Sequence, residues 1–174
     1  MRKTFALLLS ILLVACNLPR STPLPVTDTP FDQPCYFNWA TKPLPDLSKQ
    51  IQASMESAGL KGVTVMAEAF GENCIDAKTN QPVSFGAMET DFRVNLKVRS
   101  LADTKNLGNL LEKILVVLDD FPPATTPEPQ PGYVGIVFES SDQSLHLWFL
   151  VEDGKAAREK GLHGAALLEH FQTK

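Results

Sequence analysis

The chain has 174 residues, with 20 acidic against 16 basic side chains and a net charge of −4. That balance excludes a nucleic-acid role, which needs a basic face against phosphate, and it excludes adhesion to anionic lipid by charge alone. The length suits one domain with a sizeable core.

Residues 1–16 read MRKTFALLLSILLVAC. Arg2 and Lys3 make a short basic start. The apolar run from Phe5 to Ala15, broken only by Ser10, is too short to span a bilayer. It ends in Leu13-Val14-Ala15-Cys16, which resembles the lipobox of bacterial lipoproteins. The resemblance implies cleavage after residue 15, diacylglycerol on the Cys16 thiol and further acylation, such as palmitate, at the new N-terminus. Losing Arg2 and Lys3 moves the net charge from −4 to about −6. It also implies a place in the cell envelope, lipid-anchored on the extracytoplasmic face of a membrane. Asn17 follows the lipobox, where an aspartate would resemble an inner-membrane retention signal in double-membrane bacteria. Which membrane carries the anchor stays open.

With Cys16 consumed in that way, Cys35 and Cys74 remain as an even pair. An oxidising exterior permits a disulfide between them; the alternative is two buried free thiols.

Residues 16–34 read as a tether. Pro19, Pro23, Pro25, Pro30 and Pro34 alternate with Ser and Thr, and few large apolar groups stand between them. Such a segment buries too little to offset its ordering entropy, and at about 3.1 Å per residue it lifts the domain roughly 50 Å from its anchor.

Residues 35–174 read as one α+β domain. The aromatic segment Cys35 to Trp39 either adds an edge strand or plugs the core. Leu44, Leu47, Ile51, Met55 and Ala58 fall on one helical stripe, and Gly59 stops it. Residues 62–70 alternate as a strand, with Thr64, Met66, Glu68 and Phe70 on one side. A turn-rich connection over 73–82 follows.

The clearest strand lies within 83–99, where Phe92, Val94, Leu96 and Val98 alternate with Asp91, Arg93, Asn95, Lys97 and Arg99. One buried and one wet face suits an antiparallel sheet covered on one side. Asp103 caps a helix over 104–118. The stretch DDFPPATTPEPQPG is an exposed loop. Residues 133–139 and 144–151 form a hairpin, Asp153 caps a short helix ending at Gly161, and a last helical turn or two spans 165–171.

The simplest assembly is a four-stranded antiparallel sheet with helices packed mainly on one face, a helix–hairpin unit used twice plus a C-terminal helix. The segments WATKPLP, FGENC, METDF and LHGAALLE resemble those of uncharacterised bacterial lipoproteins over most of residues 35–171, a likeness that implies no activity.

No catalytic signature occurs. There is no G-x-S-x-G elbow, no H-E-x-x-H, no C-x-x-C, no G-x-G-x-x-G and no phosphate-binding loop. No metal, nucleotide or other cofactor is expected. His163 and His170 are seven apart with Gly164 between them, a spacing that suits solvated side chains better than paired ligands. Acidic pairs such as Glu89 with Asp91 read as a solvated sheet face beside Arg93 and Lys97.

One patch points to binding. If Leu145, Leu147 and Phe149 face the core, His146 and Trp148 lie on the open sheet face, joined by Tyr133 and the Arg93–Lys97 row. An aromatic among polar neighbours suits an envelope protein, a peptide or a glycan. Against this stands a covered Trp148, beneath a helix, a loop or the Trp39 segment. The reading is a non-enzymatic binding or interaction module; its alternative is an envelope hydrolase built around His146 or His163.

Overall fold

The alternation Phe92, Val94, Leu96 sets the frame, because every second residue of this strand must leave water. The structure, a computed structural model, describes residues 35–122, 126 and 130–172. The expected leader, Cys16, the tether, and residues 123–125 and 127–129 of the second proline-rich stretch lie outside the described residues.

The elements run β1 (Cys35–Pro43), α1 (Pro45–Ser57), β2 (Val63–Asp76), β3 (Pro82–Lys97), α2 (Thr104–Leu118), β4 (Gln130–Glu139), β5 (Ser144–Leu150), α3 (Val151–Glu159) and α4 (Gly164–Gln172). The five strands form one sheet in the order β1-β2-β3-β4-β5. All neighbours are antiparallel except β3 and β4, which run parallel. The class is α+β. The expected four-stranded antiparallel sheet is corrected in two ways. The aromatic segment at the start is a complete nine-residue edge strand. The return from β3 to β4 is made by α2, and a helical crossover brings the chain back in the same direction, where a hairpin would reverse it.

The predicted connection over 73–82 is half strand: β2 runs to Asp76 and β3 starts at Pro82. The turn is confined to 77–81, where the Asp76 carboxylate accepts the backbone N–H groups of Lys78 and Thr79 at 2.8 and 2.7 Å. Asn80 takes the left-handed conformation there, with φ 57°.

All four helices serve one face of the sheet. Val63, Val65 and Ala67 of β2, Phe92, Val94 and Leu96 of β3, Val134, Ile136 and Phe138 of β4, and Leu147 and Phe149 of β5 share a core with Ile51, Met55, Leu111, Ile114, Leu167 and Leu168 of the helices. Apolar burial on this scale is the dominant stabilising contribution, at about 25 cal/mol per Å².

Asp103 caps α2 as predicted, accepting the Asn106 N–H at 3.0 Å. Gly59 ends α1 with φ +87°, a conformation that costs glycine nothing. Gly108 lets α2 meet α4, since a Cβ there would strike the Gly164 carbonyl. Arg158 of α3 holds Asp119 at the end of α2 with two hydrogen bonds, 2.9 and 2.8 Å. Among the described residues no helix is long and apolar enough to cross a membrane.

Cys35 and Cys74 form a disulfide with Cα atoms 5.5 Å apart. It pins the first residue of β1 to the far end of β2, beyond the main core cluster, which ends at Ala67 on β2 and begins at Phe92 on β3.

Candidate binding face

The other face of the sheet is the candidate site. Its residues are the polar half of each alternation, and each strand supplies them for the same reason. Once the aliphatic side chains turn towards the helices, the residues between them turn away. On β5, Leu147 and Phe149 are buried, while His146 and Trp148 are exposed. The expected split is therefore observed, and Trp148 is 51% exposed. Among the described residues no helix covers it, and Trp39 sits at the opposite edge of the sheet.

Trp148 is held in place without being buried. Its cross-strand partner is Gly135 on β4. A Cβ on Gly135 would lie 2.7 Å from both Cε3 and Cζ3 of the indole, so the ring lies flat on the space that the glycine leaves. Tyr133, two residues before Gly135, stacks on the indole with centroids 5.4 Å apart and planes 9° apart. The Arg93 guanidinium carbon stands 5.7 Å from the indole centroid and its Nε bonds the Glu68 carboxylate at 3.1 Å. The stack and the cation together fix the ring's orientation before any ligand arrives.

Beside the indole a shallow depression of about 360 Å³ opens, lined by Thr64, Met66, Arg93, Asn95, Val137 and His146. Lys97 stands at the end of the Arg93–Asn95 row, opposite Glu139. The structure thus gathers Trp148, Tyr133, Arg93 and His146, and leaves Lys97 at the margin. Thr64, Met66 and Glu68 were visible only as the outward side of an alternating strand. Nothing in the sequence marked Gly135 as the seat of the indole.

Asp91 is the buried carboxylate of this face. Between Thr90 and Phe92 the β3–β4 ladder is irregular, and β4 carries an extra residue there. The bulge turns the Tyr133 N–H off the regular ladder, and the Asp91 carboxylate accepts it at 2.8 Å. Gly132 leaves room for this contact, since a Cβ there would come within 2.5 Å of the carboxylate oxygen. Burial pushes the Asp91 carboxyl above its ordinary range, against the pull of the Tyr133 N–H and of Arg93. Glu89 is also raised, by burial and by the neighbouring Asp91 charge.

His146 Nε2 lies 2.8 Å from Ser144 Oγ. Both are exposed on the edge strand. Among the described contacts nothing orients the other ring nitrogen. His163 pairs instead with Glu112 at 2.9 Å, and His170 meets the ring of Phe171 edge-on. Among the described residues no group of three or more His, Cys, Asp or Glu is placed to hold a metal ion. The arrangement offers an aromatic plate, a cation and hydrogen-bonding side chains.

Comparison with protein-family models, with curated proteins and with solved structures finds no match to this chain.

Proposed function

We propose that the chain is an extracytoplasmic lipoprotein, anchored in the cell envelope through lipid on Cys16, whose domain binds a partner protein, peptide or glycan through the open sheet face. The anchor rests on the sequence Leu13-Val14-Ala15-Cys16 after a short apolar run. Two or three acyl chains exceed the single chain that gives only marginal membrane binding. The binding role is supported by one observation above the others. Trp148 is half exposed, yet seated on Gly135 and fixed between Tyr133 and Arg93. An exposed indole held rigid in this way has little conformational entropy to lose on binding.

Two measurements test the reading. Mass analysis of the N-terminal peptide after expression in a bacterium should find a chain beginning at a diacylglyceryl Cys16, and Cys16→Ser should release the protein from the membrane fraction. A different start, or no lipid, overturns the anchor. Capture of envelope proteins and binding of soluble oligosaccharides should be lost with Trp148→Ala; equal behaviour of variant and parent overturns the site. The hydrolase alternative rests on the Ser144–His146 hydrogen bond alone. It predicts covalent labelling of Ser144 by a serine-directed phosphonate.

A further inference from the structure

The opposite edge of the sheet carries a second surface that the Trp148 site does not use. β1 is an edge strand, so among the described residues its outer backbone groups have no strand partner. It is nine residues long and carries its charge and its proline, Lys42 and Pro43, only at its last two positions. Natural edges are usually blunted by charge, proline or cover, and an open one is a template for another strand. Phe37 and Trp39 point to the open face and are 63% and 62% exposed. Trp39 stacks on Phe70 of β2, centroids 5.3 Å apart.

The charges around this aromatic pair have one sign. Glu72 is the cross-strand partner of Trp39, and Glu89 is that of Phe70. Glu68 already has Arg93, whereas the ion pairs of the described residues include neither Glu72 nor Glu89. Lys42 lies over the Phe85 ring, and by alternation along β1 it belongs to the other face. Burial together with the neighbouring Asp91 charge makes ionised Glu89 costly, which deepens the negative character of this face.

We infer that β1 receives an extended, basic segment of a partner polypeptide as a sixth strand of the sheet. Main-chain hydrogen bonds along the edge supply the docking, as in other strand additions. A Lys or Arg side chain of the added strand crosses the Trp39 ring and reaches Glu72. A second copy of the chain fits the edge less well. It would set Phe37 and Trp39 beside their equivalents and bring no cation to Glu72 or Glu89. A glycan has no use for a row of unpaired backbone groups. The inference does not rest on the Trp148 site, which lies on the other edge strand.

The test uses the full chain in detergent, in a Trp148→Phe background that leaves Trp39 as the reporting tryptophan. The probe is a synthetic peptide alternating Lys with Val or Thr over nine residues. The expected result is a saturable change in Trp39 emission that weakens with salt. Glu72→Gln combined with Glu89→Gln should weaken binding by about tenfold or more, and N-methylation of alternate peptide amides should abolish it. Three results would overturn the inference: equal binding of a Glu-for-Lys peptide, equal binding by the double Gln variant, or indifference to N-methylation. Concentration-dependent dimerisation of the chain that Asn38→Pro removes would also overturn it, in favour of a second copy.

Discussion

The seat of Trp148 on Gly135 can be tested as a coupled pair. Trp148→Ala removes a ring that is 51% exposed. A tryptophan buries at most about 250 Å², so about 120 Å² is at stake here, or an upper bound of about 3 kcal/mol at about 25 cal/mol per Å². The alanine retains part of that, and the expected loss is about 2 kcal/mol. That is below the roughly 3–5 kcal/mol of a fully buried aromatic.

Gly135→Ala acts on the same contact from the other side. Its Cβ would lie 2.7 Å from two indole carbons, so the ring must swing away and leave Tyr133. The loss of ring packing is offset by about 0.5–1 kcal/mol, because alanine suits a strand interior better than glycine. The net cost is about 1 kcal/mol. In the Trp148→Ala background no ring is left to displace, and Gly135→Ala should stabilise the protein by that same 0.5–1 kcal/mol. The double-mutant cycle should therefore show a coupling of about 2 kcal/mol. Urea unfolding followed by far-ultraviolet circular dichroism measures all four variants, and the near-ultraviolet spectrum reports loss of the Tyr133–Trp148 stack. Single-variant effects that add to within about 0.5 kcal/mol would refute the seating argument.

Two other predictions concern the outer part of the sheet and the buried carboxylate. Reduction should add two hydrogens to the chain, and the Cys35→Ser, Cys74→Ser variant should lose up to about 4 kcal/mol of stability for a loop spanning 39 residues; an unchanged intact mass on reduction would exclude the bond. Asp91→Asn should be neutral or stabilising at pH 7, because it removes a buried charge and keeps an acceptor for the Tyr133 N–H, whereas Asp91→Ala should cost about 1–3 kcal/mol by leaving that donor unpaired. The pH profile carries the sign: the folded state holds the Asp91 proton more tightly than the unfolded chain does. The contribution is thus fully present below the ordinary carboxylate range and declines as pH rises through the raised value, so the Asn variant should gain on the parent from acid to neutral pH in thermal melts.

Much of the helix-covered half of the sheet was legible because two periodicities act there without interference. The period of two in 91–97 and 145–150 sorted core from open face correctly, and it placed Trp148, His146 and Arg93 on one surface. Asp103 and Gly59 marked helix ends by chemistry that any chain would need there. Strand direction was not legible from alternation, which is the same for parallel and antiparallel neighbours. The wet face suggested antiparallel pairing throughout. It persists beside a parallel β3–β4 pair because the helices all pack on the other side. The far halves of β2 and β3 escaped for another reason. Register shifts after Phe70 and Cys74 interrupt the period, and β1 exposes aromatic residues on both faces, so no alternation survives to be read.

The open face is a consequence of how the core was filled. The covered side takes most of the aliphatic residues with Phe92, Phe138 and Phe149, which leaves both tryptophans, Tyr133, Phe70 and most of the charges to the other side. There they separate into two patches at opposite edges, Trp39 with Phe70 and Trp148 with Tyr133. Arg93 stands between the patches and contacts both sides, through its ion pair to Glu68 on β2 and its approach to Trp148 on β5. The same cation that orients the indole therefore satisfies Glu68 and leaves Glu72 and Glu89 uncompensated. A ligand at the Trp148 edge meets a neutralised, preorganised plate. One at the β1 edge would meet backbone groups and carboxylates that have no strand or ion-pair partner among the described residues. The two edges of one sheet are thus chemically distinct.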